Sequence, residues 1–164
     1  MNIFEFAMKM ETDGRDFYLA QSRKIDSPWL KKILVELADD ELKHYNIFKA
    51  MKEGHTAEYK EAEKTKIIPT LKNVFESLKE QKKEFIFPAE SKKIWTEALE
   101  IEKKSEDFYR DKAAEAKGEK QKHILNKIAD EEHKHWVTLQ HVIRFLDRPN
   151  HWLEDAEWSN LEDY

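Results

Sequence analysis

The chain has no cysteine, only three glycines and only four prolines in 164 residues. Without cysteine it can build no disulfide, zinc ribbon, thiolate-held iron–sulfur cluster or cysteine nucleophile. So little glycine and proline argues against an all-β fold, whose frequent turns require both. Long apolar runs are also missing: none approaches the roughly 18 residues of a membrane span. The first residues, MNIFEFAMKMETDG, carry acids and no basic region, so no secretory signal is read there. Concentrated positive charge is absent, since the net charge is −5 and no long basic stretch occurs. Nucleic acid and membrane are therefore not expected partners, and a cytoplasmic setting is expected.

What the chain does have is charge of both signs, 38% of its residues, and a mean hydropathy of −0.88. Its length fits one domain with a core of ordinary size. Apolar residues recur at three- and four-residue steps in four long stretches, the signature of amphipathic helices. The first covers 2–24, with Phe4, Ala7, Glu11, Gly14 and Tyr18 on one stripe. Ser27-Pro28 reads as an N-cap followed by proline at the first helical position. The second helix runs over 28–52, with Leu30, Leu34, Leu37, Glu41, His44 and Phe48 aligned, and Gly54 stops it. The third covers 90–116, aligning Trp95, Ala98, Glu102, Ser105 and Tyr109, and Gly118 marks a break. The fourth covers 119–146, aligning Leu125, Ile128, Glu132, His135, Leu139 and Val142, and Arg148-Pro149 ends it.

Short links make helices one and two antiparallel neighbours, and likewise three and four. The segment 54–89 between the pairs is too long for a tight turn. It has to run the length of the bundle, with PTLKNVFESLKEQKKEF forming a short helix on the way. The expected fold is all-α: a four-helix bundle over 1–146, two antiparallel helix pairs joined by a long crossover, which is ferritin-like connectivity. The tail 147–164 is acidic yet carries Trp152, Leu153, Trp158 and Leu161, and is expected to pack on the bundle or a partner chain.

The two helix pairs are an internal repeat. Shifted by 91 positions without a gap, Ala7 meets Ala98, Glu11 meets Glu102, and Asp16-Phe17-Tyr18 meets Asp107-Phe108-Tyr109. Ala38-Asp39 meets Ala129-Asp130, and Glu41 and His44 meet Glu132 and His135. The chain holds 23 Glu and seven His, so Glu-x-x-His is expected about once by chance and means little alone. Here it occurs twice, in register with the repeat, and each copy follows a partner Glu by 30 residues. All four carboxylates lie on apolar stripes, and no Lys or Arg shares those stripes near them. Burying carboxylates unpaired is far more costly than burying a neutral polar group. A cation from outside the chain resolves this. Four carboxylates balance two divalent metals, two neutral imidazoles complete the set, and residues three apart share one helical face. The candidate metal ligands are Glu11, Glu41, His44, Glu102, Glu132 and His135. Carboxylates with imidazole suit iron or manganese, and zinc could bind without redox chemistry.

One Glu from each of two helices, with Glu-x-x-His from each of the other two, resembles the dimetal set of ferritin-like proteins. The chain is similar to the rubrerythrin branch of that superfamily over about 1–53 and 92–146, and RPNHWLEDAEW resembles tails of that branch. The resemblance implies a diiron centre with two Fe per chain. Glu41 and Glu132 would bridge, Glu11 and His44 would complete one iron, and Glu102 and His135 the other. It implies a non-haem diiron oxidoreductase acting on a small oxidant, peroxide or dioxygen, and a homodimer. Two departures are visible. Typical members carry a four-cysteine rubredoxin domain and this chain has no cysteine, so an external electron donor protein is implied. The position of an extra Glu in typical members is Ser105 here, which makes the site more symmetric and closer to the bacterioferritin pattern. That argues against the iron movement associated with peroxide reduction. Ferroxidase activity with iron storage or metal buffering is the alternative, and a bundle with a vestigial or zinc-filled site is a third possibility.

Around the site, Ala7, Gly14, Ala98 and Ser105 leave room for metals or a small oxidant, or serve close helix packing. Tyr18 and Tyr109, seven residues after their Glu, are candidates to hydrogen-bond ligand carboxylates. Asp39 and Asp130 are candidates to orient the histidines, with Asp40 and Glu131 as rivals. His55, His123, His133, His141 and His151 have no repeat partner and read as surface or rim residues.

Overall fold

A computed structural model of the chain describes residues 2–55, 64–155 and 157–161. Among the described residues six α-helices carry the fold: α1 (Ile3–Ser22), α2 (Pro28–Lys52), α3 (Ile67–Glu80), α4 (Lys93–Glu115), α5 (Glu119–Asp147) and α6 (Pro149–Glu154). Short 3₁₀ turns precede α4 (Ala89–Lys92) and follow α6 (Trp158–Asn160). No strand occurs among the described residues, so the all-α expectation holds. None of their helices is long and apolar enough to cross a membrane.

Local chemistry sets the helix ends. Asn2 accepts from the Glu5 backbone N–H at 2.8 Å while the Glu5 side chain reaches back to Asn2 N, a reciprocal cap. Ser27 Oγ accepts from Leu30 N–H at 3.3 Å, with Pro28 at the first helical position. Gly54, at φ 76°, adopts the left-handed conformation that ends α2. At the far end α5 stops at Asp147, before Arg148-Pro149, as expected, and Pro149 has a second role. It starts α6 after a single non-helical residue, Arg148.

α1 packs along α2, and α4 along α5. The short helix expected in the crossover is α3, which packs on α2, α5 and α6. Phe75 of α3 meets Phe145 of α5 at 5.5 Å, and also Trp152 and Trp158 of the tail at 6.1 and 5.5 Å between ring centroids. Trp158 Nε1 donates to the Trp152 carbonyl at 3.1 Å, so the tail's second tryptophan is held by its first.

The core falls into two apolar clusters. One gathers Tyr18, Leu37, Ala38, Ala98 and Leu139 with the α3 and tail aromatics. The other gathers Ala7, Ile47, Phe48, Tyr109, Ile128 and Ala129. Along each of the four long helices the chain passes from one cluster to the other through buried polar residues: Glu11 on α1, Glu41 and His44 on α2, Glu102 on α4, Glu132 and His135 on α5. The bundle therefore carries a polar layer across its middle, closed above and below by hydrocarbon.

Candidate metal centre

Why these six side chains meet follows from the helical period. Glu11 lies on the stripe Ala7, Glu11, Gly14, Tyr18, and Glu102 on the stripe Ala98, Glu102, Ser105, Tyr109, all buried. Glu41 and His44, and Glu132 and His135, are three residues apart on the inward faces of α2 and α5. None of the six is more than 3% exposed. Two ligand groups result, each able to place one atom per residue within 4.8 Å of the others: Glu11, Glu41, His44 and Glu132, and Glu41, Glu102, Glu132 and His135. Glu41 and Glu132 belong to both groups, and one histidine and one further Glu belong to each.

Apart from His135 Nδ1 and Glu102 Oε1, 3.2 Å apart, the polar atoms facing one another inside the layer are largely unpaired. Glu11 Oε2, Glu41 Oε1, His44 Nδ1, Glu102 Oε2 and both oxygens of Glu132 are buried without a hydrogen-bond partner. His44 Nδ1 sits 2.9 Å from Glu132 Oε1 and 3.5 Å from Glu11 Oε2, close in distance but without hydrogen-bond geometry. Native interiors rarely leave so many polar atoms unpaired at one place. Their orientation, toward a common interior, fits cations held between them. The two imidazoles face each other with ring centroids 6.1 Å apart.

Protons show the same strain. Burial, then the charge of Glu11 and the other carboxylates, pushes Glu41 well above the usual carboxylate range. Burial, then Glu102 and Glu11, does the same to Glu132. Burial alone would lower the histidines, but Glu11 beside His44 and Glu102 beside His135 outweigh it and raise both. Glu102 goes the other way, because His135 beside it outweighs burial and holds its carboxyl low. Without metal, the layer balances its negative charge by retaining protons, and a divalent cation would displace them.

Around this layer, the tyrosines cross between the halves. Tyr109 donates to Glu11 Oε1 at 2.6 Å, and Tyr18 donates through a short bond to Glu102 Oε1. Each tyrosine thus serves the carboxylate of the other helix pair, not the one seven residues before it. Burial and the neighbouring carboxylates raise both phenols well above their ordinary value, so they remain donors.

The histidine supports differ from the first expectation. Asp39 and Asp130 are exposed, and Asp130 pairs with Arg110 at 2.8 Å. Their rivals take the role. Asp40 accepts from His135 Nε2 at 2.9 Å, and Glu131 accepts from His44 Nε2 at 2.8 Å. A helical signal existed for this: Asp40 and Glu131 stand four residues before His44 and His135, on the same inward face, whereas Asp39 and Asp130 are rotated a further 100° away. Here too the support crosses from one half to the other. A residue with no sequence signal completes it. Thr65, 1% exposed and two residues before α3 within the crossover, donates its hydroxyl to Asp40 Oδ2 and its backbone N–H to Glu131 Oε2 at 3.0 Å.

Of the remaining histidines, His55, His123 and His151 are exposed and His133 is partly so. His141 corrects the surface reading. It is buried against Trp152 at 5.3 Å, Nδ1 donates to the Val137 carbonyl at 3.0 Å, and burial lowers its pKa.

A cavity of about 190 Å³ opens between α1 and α2, lined by Glu11, Thr12, Arg15, Glu41, Leu42 and Tyr45. Gly14 helps keep this side open, since a Cβ there would stand 3.0 Å from Glu41 Oε2. At the repeat-related positions of α4 and α5 the residues are Glu102, Lys103, Glu106, Glu132, His133 and Trp136. There His133 Nδ1 contacts Glu106 Oε2 at 3.2 Å, and the imidazole stacks on Trp136 at 5.7 Å. The symmetric layer of candidate ligands therefore has unlike surroundings on its two sides.

Comparison with known proteins adds one match. A family model described as Rubrerythrin matches residues 2–143. No curated protein and no solved structure matches the chain.

Proposed function

Because the chain belongs to the rubrerythrin family, we propose that it is a diiron carboxylate oxidoreductase whose reduced centre reduces peroxide or dioxygen with electrons from an external donor protein. The observation that carries this reading is the set of six unpartnered carboxylate and imidazole atoms sealed in the bundle between two hydrocarbon clusters. Glu11 and His44 would hold one iron and Glu102 and His135 the other, with Glu41 and Glu132 shared between them. Two adjacent irons supply two electrons together, which suits cleavage of an O–O bond.

The protein's own residues set the conditions. Tyr109 and Tyr18 fix one oxygen of Glu11 and of Glu102, leaving the other oxygen of each free to face inward. Asp40 and Glu131 hold the Nε2 protons of His135 and His44, which turns each Nδ1 toward the layer. The apolar clusters above and below exclude water and keep the local dielectric low. The cavity beside Glu11 and Glu41 is the route we assign to a small oxidant, because the repeat-related position is filled by the His133–Trp136 stack. These 164 residues contain no cysteine and so no rubredoxin-type iron, which supports an external donor for the electrons.

The test is stopped-flow mixing of the anaerobic, diferrous protein with peroxide and, separately, with dioxygen, followed by turnover with a reductant. Rapid oxidation and repeated cycling support the reading, and a diferrous form that stays reduced in both excludes it. A storage role draws on the symmetry of the ligand set, with Ser105 where an extra carboxylate would break it. It requires a shell able to enclose mineral, so light scattering on the iron-loaded protein separates the two.

A further inference from the structure

We propose that Thr65 is a positioning residue for both histidines of the metal layer, and that through it the docking of the crossover and metal affinity are coupled. This rests on the reading of that layer as a metal site. The network runs His135 Nε2 to Asp40, Asp40 to the Thr65 hydroxyl, the Thr65 backbone N–H to Glu131, and Glu131 to His44 Nε2. Each carboxylate accepts from an imidazole and from Thr65. Asp40 accepts both on the same oxygen, Oδ2, while Glu131 accepts His44 on Oε1 and Thr65 on Oε2.

Thr65 is suited to this by its chemistry and its place. Its hydroxyl is polarised from both ends: Oγ1 accepts the Ile67 N–H at 3.2 Å and donates to Asp40. The Ile67 amide is at the first residue of α3, so the hydroxyl direction is tied to the start of that helix. The hydroxyl joins the same oxygen of Asp40, Oδ2, that His135 Nε2 bonds. Asp40 and Glu131 lie on different helix pairs, α2 and α5, so Thr65 bridges the halves from a third element. The repeat explains why one residue reaches both supports. Asp40 and Glu131 are pseudo-equivalent positions on α2 and α5, close enough together for a single residue to bond both.

A carboxylate that loses one of its donors gains rotational freedom, and the imidazole it holds follows. Outer partners of metal-bound histidines are worth about 10–100-fold in metal affinity. Linkage makes the effect mutual: if docking of Thr65 favours the metal-ready histidines, metal binding favours docking of Thr65 and of α3 behind it.

The experiment compares wild type, Thr65→Val, Thr65→Ala and Thr65→Ser. Valine keeps the branched shape and the backbone N–H but removes the hydroxyl, alanine removes it without adding bulk, and serine restores it. Co(II) binding is titrated on each metal-free protein by its visible absorption. Hydrogen exchange of the first turn of α3 is measured with and without Co(II). The expected result is two Co(II) per wild-type chain, affinity lowered about 10–100-fold in the valine and alanine variants, and recovery in serine. Metal should slow exchange at the Ile67, Ile68 and Thr70 amides in wild type and serine, and much less in valine and alanine. Equal affinity and equal metal-dependent protection in all four proteins, with two Co(II) bound, would overturn the role of Thr65 and leave the metal reading standing. A wild type that binds no Co(II) would overturn both.

Discussion

Tyr109 on α4 donates its hydroxyl proton to Glu11 on α1 at 2.6 Å, and Tyr18 on α1 returns the arrangement to Glu102 on α4. Each helix pair thus anchors a carboxylate of the other. Tyr109→Phe removes the donor and leaves Glu11 Oε1 buried without a partner, which costs about 1–3 kcal/mol. The metal-free protein should unfold earlier by that amount in denaturant titration, with its helical content before the transition unchanged. A midpoint equal to that of wild type would mean that this bond does not hold the layer together.

Gly14→Ala separates fold from site. Mid-helix glycine is less favourable than alanine by about 0.8–1 kcal/mol, so the substitution should not weaken the metal-free bundle. The new methyl, however, would meet Glu41 Oε2 at 3.0 Å. We expect an unchanged or raised melting temperature without metal, together with metal affinity lowered about tenfold, the lower end of what supporting groups contribute. Calorimetry and a Co(II) titration on the same preparation read both.

The access route is tested by a symmetric pair of substitutions. Thr12 lines the cavity on α1, and Lys103 is its repeat-related residue on α4; both are exposed, so either tolerates a larger side chain. Thr12→Trp should slow oxidation of the diferrous protein by at least about tenfold, equivalent to a 1.4 kcal/mol barrier. Lys103→Trp should leave the rate unchanged, and both should bind the wild-type amount of iron. Equal rates in the two variants would remove the cavity from the account.

Stability of the metal-free protein should fall as pH rises. Glu41, Glu132, His44 and His135 have folded pKa values raised above the ordinary carboxylate and imidazole values, about 4.3 and 6.5. Above the ordinary imidazole value the unfolded chain has released these protons while the folded layer, with its raised values, still holds them, so stabilisation is lost as pH rises. Asp40 and Glu102 are held low, and what they contribute disappears only in acid, below that window. His141 is lowered by burial and contributes fully above the ordinary imidazole value. Melting temperatures across this range should decline without metal, and added metal should flatten or reverse the slope, since it displaces the same protons.

Much of this arrangement is legible in the sequence. The stripe Ala7, Glu11, Gly14, Tyr18 is the set buried on α1 apart from Ser22, and its repeat-related stripe is buried on α4. A 3.6-residue period and a 91-residue repeat were enough to bring six side chains to one layer. What periodicity could not supply was the partner across the helix interface. Tyr18 was placed two turns from Glu11, and its proton goes to Glu102 instead. Asp40, four residues before His44, shares its inward face, but which histidine it serves, His135 on α5, is set by the packing of the two halves. Thr65 belongs to a crossover without a repeat partner, where neither period nor symmetry marks a residue. His141 failed for a related reason: it is buried by Trp152, a tail residue outside the repeat.

The central claim is that the carboxylate layer exists to hold two metals. An anaerobic titration of the metal-free protein with Fe(II), counting iron bound per chain, tests it most directly. The account predicts two Fe(II) per chain, falling sharply in Glu132→Ala while the helical content persists. Fewer than one iron per chain, or full binding in Glu132→Ala, would contradict it and leave the buried carboxylates neutralised by protons alone.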